Sequence, residues 1–211
     1  MAIGALTRHR SVETSALLGS KCPLLPAAAE NVAHAQVRNR GTFGGSVAHA
    51  DPAAEFPAVV FTLGGTVVCA SSGGTREVTA EEFNLGMLTT ALEPAEIVTE
   101  VKVPNLVGRK WSYRSITRCH GDFAIAGVIA AFSLDPGGAC RDVHLGMYGV
   151  GPQAIRCAEA EALLEGKPLS DGLLEEAADA AVAGRHDLHV SPGRGHAHGP
   201  SSEHRGRDAR A

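Results

Sequence analysis

The chain has 211 residues, 44% of them hydrophobic, and a formal net charge of −4, which suits one large domain or two small ones and gives no basic face for nucleic acid. No run approaches the about 20 apolar residues that span a bilayer, and the start "MAIGALTRHRSVE" lacks the charged-then-apolar pattern of a secretory leader. Five scattered cysteines (Cys22, Cys69, Cys119, Cys140 and Cys157), with no C-x-x-C pair, argue against a disulfide framework and against a zinc or iron–sulfur site of the chain's own; free thiols point to a reducing, cytoplasmic setting.

In chain order, residues 11–19 read as a short helix that Ser11 can cap and Gly19 can end. Residues 22–37 read as a second helix, with Leu24, Leu25, Ala28, Val32 and Ala35 on one stripe. A glycine loop follows. Asp51 then suits an N-cap and Pro52 the first helical position, predicting a helix over 52–63. Residues 66–70 and 75–79 read as two strands joined by "SSGG", and "EEFN" as a helical turn. The β-rich run 96–104 ends at Pro104. Three more strands fall within 109–118, 122–135 and 139–151, with "PGG" at 136–138 as a hairpin turn. Two helices close the pattern near 157–166 and 170–183. The fold class is α+β: a mixed unit over 1–106, then a three-stranded antiparallel sheet with helices over 107–185. Residues 186–211 hold half of the ten histidines among Gly, Pro, Arg and Ser. This tail shows no apolar period and is expected to be disordered or the product of a reading-frame shift. Metal binding by its histidines is the weaker alternative, because no carboxylate supports them.

The stretch "QVRNRGTFGGSVAHADPAAEFPAVV" (36–60) carries the chemistry. Gly44 and Gly45 let backbone N–H groups approach a ligand with no Cβ in the way, and Thr42 and Ser46 add hydroxyl donors. A helix start at Asp51 adds positive potential. This suits a phosphate or pyrophosphate, although the stretch matches neither G-x-x-x-x-G-K-S/T nor G-x-G-x-x-G. From spacing alone, an ordinary glycine-rich connection is an equal reading, and Asp51 can serve as a cap and nothing more.

The same stretch resembles the second FAD-binding segment of the flavoprotein subunits of molybdenum hydroxylases, the group that includes aerobic carbon monoxide dehydrogenase and xanthine dehydrogenase. "IGALTRH" (3–9) resembles the strand before that segment. "GDFAIAGVIAAFSLD" and "LGMYGVGPQAIRCAEAEALLEGKPL" resemble the C-terminal domain of the family. The likeness covers about residues 2–184. It implies a PCMH-like FAD-binding fold for 1–106, with the FAD diphosphate cradled by Thr42, Phe43, Gly44, Gly45 and Ser46. It puts Glu55, which lies beyond the first three expected helical positions, near the ribityl chain. His49 and Asp51 belong to the same motif, with Asp51 as a cap. Arg114 stands at or near the place of a family lysine, and Val98 and Thr99 where the isoalloxazine ring packs.

The resemblance further implies an oxidoreductase subunit that takes electrons from [2Fe-2S] clusters on a small partner. The molybdopterin would sit on a large partner, and an external acceptor would receive the electrons. No residue here is expected to act as a catalytic acid, base or nucleophile, and no metal site is expected on this chain. The family also carries an earlier "AGGQS"-like loop that this sequence lacks. The expectation is therefore a truncated, wrongly started or split subunit. The alternatives are a fragment that binds a partner without holding FAD, and a stand-alone binder of nucleotide phosphate using the Thr42–Ser46 turn.

Overall fold

The computed structural model describes residues 1–183; the expectations for residues 186–211 lie outside them. The chain opens with β1 (Ala2–Gly4) and then four short helices: α1 (His9–Thr14), α2 (Ala16–Lys21), α3 (Leu24–Ala29) and α4 (Ala35–Arg40). Each of the two helices expected here is broken in two. Ser15 has extended backbone, and its hydroxyl accepts from the Leu18 N–H at 3.2 Å, so it caps a new helix. Between α3 and α4, Ala33 takes a positive φ of 42°, a conformation that ends helices. The Arg38 guanidinium donates to the Val32 and Ala33 carbonyls released there and pairs with Glu13 at 2.8 Å.

Next come α5 (Phe43–His49) and α6 (Glu55–Thr62). The glycine stretch is thus the first turn of a helix, not a loop before one. The helix expected over 52–63 begins only at Glu55. Asp51 does not cap it: its carboxylate accepts from the Ala53 N–H at 2.8 Å and closes a separate turn over 51–54, with Ala54 as the N-cap of α6.

The first sheet combines β1 with β2 (Thr66–Ser71), β3 (Gly74–Thr79) and β6 (Ile97–Lys102) in the antiparallel order β1-β6-β2-β3. Between β3 and β6, α7 (Ala80–Phe83) is held by a Thr79–Glu82 capping box, and a small pair β4 (Asn84–Gly86) and β5 (Thr89–Thr90) follows. The register sets Ile3, Val101, Val67 and Val78 in one row across all four strands, and all four are buried. That row is the inner face of the sheet.

The second sheet has the order β10-β9-β8-β7, from β7 (Lys110–Ile116), β8 (Ala126–Leu134), β9 (Cys140–Tyr148) and β10 (Ile155–Arg156). The three expected strands are present. The fourth, two residues long and paired with Met147 and Gly146, is too short for alternation to show. At the β8–β9 hairpin, Asp135 accepts from the Gly137 and Ala139 N–H groups, both at 2.9 Å. The chain continues as α8 (Ala158–Leu164) and α9 (Asp171–Val182), the latter capped by Ser170.

One apolar core joins Val12, Leu24, Leu25, Phe43, Phe56 and Val101 to Ala124, Ile129, Ala131 and Tyr148. The change of architecture near residue 107 is therefore not a break in packing. A smaller cluster of Met147, Cys157, Leu164, Ala177 and Ala181 seats α8 and α9 on β9. No helix among the described residues is long and apolar enough to cross a membrane.

Candidate functional site

The site grows from the meeting of α5 and α6. Phe43 and Phe56 are fully buried and pack edge to face, with ring centroids 4.9 Å apart. This packs the first turn of α5, which follows Thr42, against the first turn of α6, which begins at Glu55. The ring of His9 packs on Phe56 at 5.0 Å, also edge to face.

Thr42 is the N-cap of α5, and its hydroxyl accepts from the Gly45 N–H at 3.2 Å. The remaining amides of the turn are also taken up inside the chain. The Phe43 N–H donates to the Thr7 carbonyl at 2.8 Å, Gly44 to the Ala5 carbonyl at 2.9 Å, and Ser46 to the Thr42 carbonyl at 3.0 Å. The glycines thus have a physical role different from the one expected. A Cβ on Gly44 would stand 2.6 Å from the Ala5 Cα, so Gly44 lets α5 lie directly on the chain after β1. A Cβ on Gly45 would stand 2.5 Å from the capping Thr42 Oγ1. What this turn offers an anion is the free hydroxyl protons of Thr42 and Ser46 over the bare, exposed Gly45. Phe43 contributes packing, since its side chain has no exposure.

His9 holds the turn from beneath. Its Nε2–H donates to the Thr42 carbonyl at 2.9 Å. Nδ1 is buried without a hydrogen-bond partner and faces Gly41, whose Cβ would lie 2.8 Å from it. Burial lowers the pKa of His9 below its usual value, and the neutral ring is what this packing accepts. No periodic signal marks His9, because its role depends on contact with a turn thirty-three residues away.

Glu55 is the first residue of α6 and only 6% exposed, a correction to its expected place deeper in the helix. Burial pushes its carboxyl up to about 7; its own backbone N–H works the other way and Asp51 raises it further, with no cation among the groups that act on it. On β7 and β9, the Tyr113 and Tyr148 hydroxyls hydrogen-bond each other, and burial, with a smaller contribution from Glu55, raises both phenols. Alternation along β7 turns Tyr113 and Ser115 inward and leaves Arg114, paired with Val128, exposed on the other face. Arg114, expected at or near the place of a family lysine, thus lies on the face of β7 opposite Tyr113. His49 is exposed at the last turn of α5. Thr99 lies next to the turn, its carbonyl accepting from the Ala5 N–H at 2.9 Å, with half-buried Val98 beside it on β6. Leu6 and Ile97 are 83% and 66% exposed.

The donor set can be tested against a flavin dinucleotide. A diphosphate needs donors, and two hydroxyls over a Cβ-free glycine supply them. A polyol chain needs an acceptor, and a buried carboxyl with no cation supplies one. The residues fit.

Comparison with known proteins gives the family. Residues 1–106 match the family described as the FAD binding domain in molybdopterin dehydrogenase, and residues 111–198 match the CO dehydrogenase flavoprotein C-terminal domain. The chain belongs to this family of molybdenum-hydroxylase flavoprotein subunits. It is 42% identical over 185 residues to the alpha subunit of the 6-hydroxypseudooxynicotine dehydrogenase complex of Paenarthrobacter nicotinovorans, covering 87% of this chain and 62% of that protein. It is 35% identical to the carbon monoxide dehydrogenase medium chain of Hydrogenophaga pseudoflava, covering 86% and 63%. A solved structure of carbon monoxide dehydrogenase from that organism superposes with a TM-score of 0.83 at 37% identity, over 86% of this chain and 63% of that one. Quinoline 2-oxidoreductase from Pseudomonas putida 86 gives 0.81 at 36%, over 87% and 64%. The chain spans less than two thirds of the length of these relatives.

Proposed function

We propose that this chain is the FAD-holding part of an electron-transfer subunit in a molybdopterin-dependent hydroxylase or dehydrogenase. The observation that carries the reading is the meeting of the Thr42 turn and the uncompensated Glu55 carboxyl at adjacent helix starts, on a domain of the FAD-binding family. In this reading Thr42 and Ser46 hold the diphosphate through their hydroxyls, and Gly45 keeps the approach open. Glu55 accepts from the ribityl hydroxyls, and Val98 and Thr99 flank the ring. When bound, FAD supplies the redox chemistry, and the protein's part is to hold and orient it. A molybdopterin-binding large subunit and a small subunit with [2Fe-2S] clusters would feed it electrons, and an external acceptor would drain them. The relatives' names carry that assembly: they are subunits of dehydrogenase complexes and medium chains.

Titration of FAD against the chain, read by quenching of flavin fluorescence, tests the assignment. Ser46→Ala should weaken FAD binding several-fold and riboflavin binding little, because only FAD has the diphosphate. Equal loss for both ligands would contradict the assigned role. Co-expression with large and small subunits of a related complex should yield one co-purifying assembly.

A second reading has its own observation. Leu6 and Ile97 are exposed beside the turn, and the described residues leave them uncovered. A chain that meets a partner there without holding FAD would quench no flavin fluorescence and still co-purify.

A further inference from the structure

The segment between β1 and α1 runs beside the Thr42 turn. The His9 N–H donates to the Gly41 carbonyl at 3.0 Å, and the Phe43 N–H to the Thr7 carbonyl at 2.8 Å. These two bonds bracket Arg8 and Thr42, which have extended backbone and form an isolated antiparallel bridge. A pair bracketed in this way is the closely spaced kind, with Cα atoms about 4.5 Å apart and both side chains on one face. Alternation sends the next residue, His9, to the buried face, where it holds the turn from beneath. Arg8 and the Thr42 hydroxyl therefore share the outer face. There the exposed Arg8 side chain is anchored, its Nη1 donating to the Arg40 carbonyl at the end of α4. The guanidinium keeps further N–H donors in the same plane. Arg10 and Arg38 are both committed to Glu13, each at 2.8 Å. Among the described residues no carboxylate pairs with Arg8.

We propose that Arg8 is the cation of the diphosphate site: anchored on the end of α4 beside Thr42, it turns its free N–H groups to the phosphates that Thr42 and Ser46 hold. This rests on the function proposed above and deepens it. Hydroxyl donors can fix the position of a diphosphate, but they do not neutralise its negative charge. A guanidinium does, and its planar fork can meet two phosphate oxygens at once. The carbonyl anchor holds that fork in place before the ligand arrives, so little side-chain freedom is lost on binding. Arg8 would thus set the preference for a ligand with a diphosphate over the bare flavin.

The test is titration of the full chain at low and high salt, with FAD and riboflavin read by flavin fluorescence and ADP by calorimetry. ADP carries the diphosphate without the flavin. Wild-type affinity for FAD and ADP should fall with added salt, and affinity for riboflavin should not. Arg8→Gln should weaken FAD and ADP binding about ten-fold, flatten their salt dependence and leave riboflavin binding unchanged. Arg8→Lys should keep the salt dependence, because the charge remains, and recover only part of the affinity, because lysine lacks the fork. A role confined to capping α4 would instead lower FAD and riboflavin affinity alike and leave the salt dependence as it was. That pattern, or FAD and ADP affinities unmoved by Arg8→Gln, would overturn the proposal. A chain that binds ADP through Arg8 but no FAD loses the flavin reading and keeps this one. A chain whose FAD binding falls with Ser46→Ala but not with Arg8→Gln loses only this one. A chain that binds neither ligand loses both.

Discussion

Gly44 and Glu55 show how much a single position carries. A methyl group on Gly44 would meet the Ala5 backbone, which cannot swing aside as a side-chain tip can. Gly44→Ala should therefore destabilise the chain by about 1–3 kcal/mol, read as a lower denaturation midpoint. Glu55 acts in the opposite sense at neutral pH. Its folded pKa of about 7 lies above its ordinary value of 4.5, so the folded state holds its proton more tightly. The resulting stability is complete below about pH 4.5, falls as pH rises toward 7 and is gone above that. Glu55→Gln should leave the denaturation midpoint near its wild-type value at pH 5 and raise it at pH 8, by an amount on the order of 3 kcal/mol. A chain equally stable with Glu or Gln at pH 8 would show that the carboxyl is not strained by burial.

Among the elements, the strands were the most legible. Val78 and Val101 alternate with polar neighbours, and the register lines them up with Val67 and Ile3 in one buried row. The helices were legible as apolar faces but not as lengths. Nothing in the apolar period marks Ser15 as a cap in mid-run or Ala33 as left-handed: the first break is set by a local bond from the Leu18 N–H to the Ser15 hydroxyl, and the second is held by Arg38 of the next helix. The site was half legible. The types Thr, Gly, Gly, Ser and Glu were read from the motif, but the reason for the glycines was not, since the Gly44 amide goes to the Ala5 carbonyl and the Gly45 amide to the Thr42 hydroxyl. Arg114 lies on the face of β7 opposite Tyr113, a placement that alternation gives once the strand is known. The Thr42 cap makes its own prediction. Thr42→Ala should cost about 1 kcal/mol and speed hydrogen exchange at the Gly45 amide more than at Val47.

At the scale of the whole molecule, a single core crosses the change of architecture near residue 107. A chain cut between 106 and 107 should therefore give two pieces that fold poorly alone and regain cooperative unfolding when mixed. The same core makes the candidate site a joint product. The Thr42 turn and Glu55 come from the first half, while Tyr113 and Tyr148 come from the second. The central claim is that this joint surface holds FAD, and the most direct measurement is the visible absorbance spectrum of the purified chain after incubation with FAD and desalting. The account predicts retained flavin bands, weakened by Ser46→Ala. A colourless protein with an intact fold would contradict it.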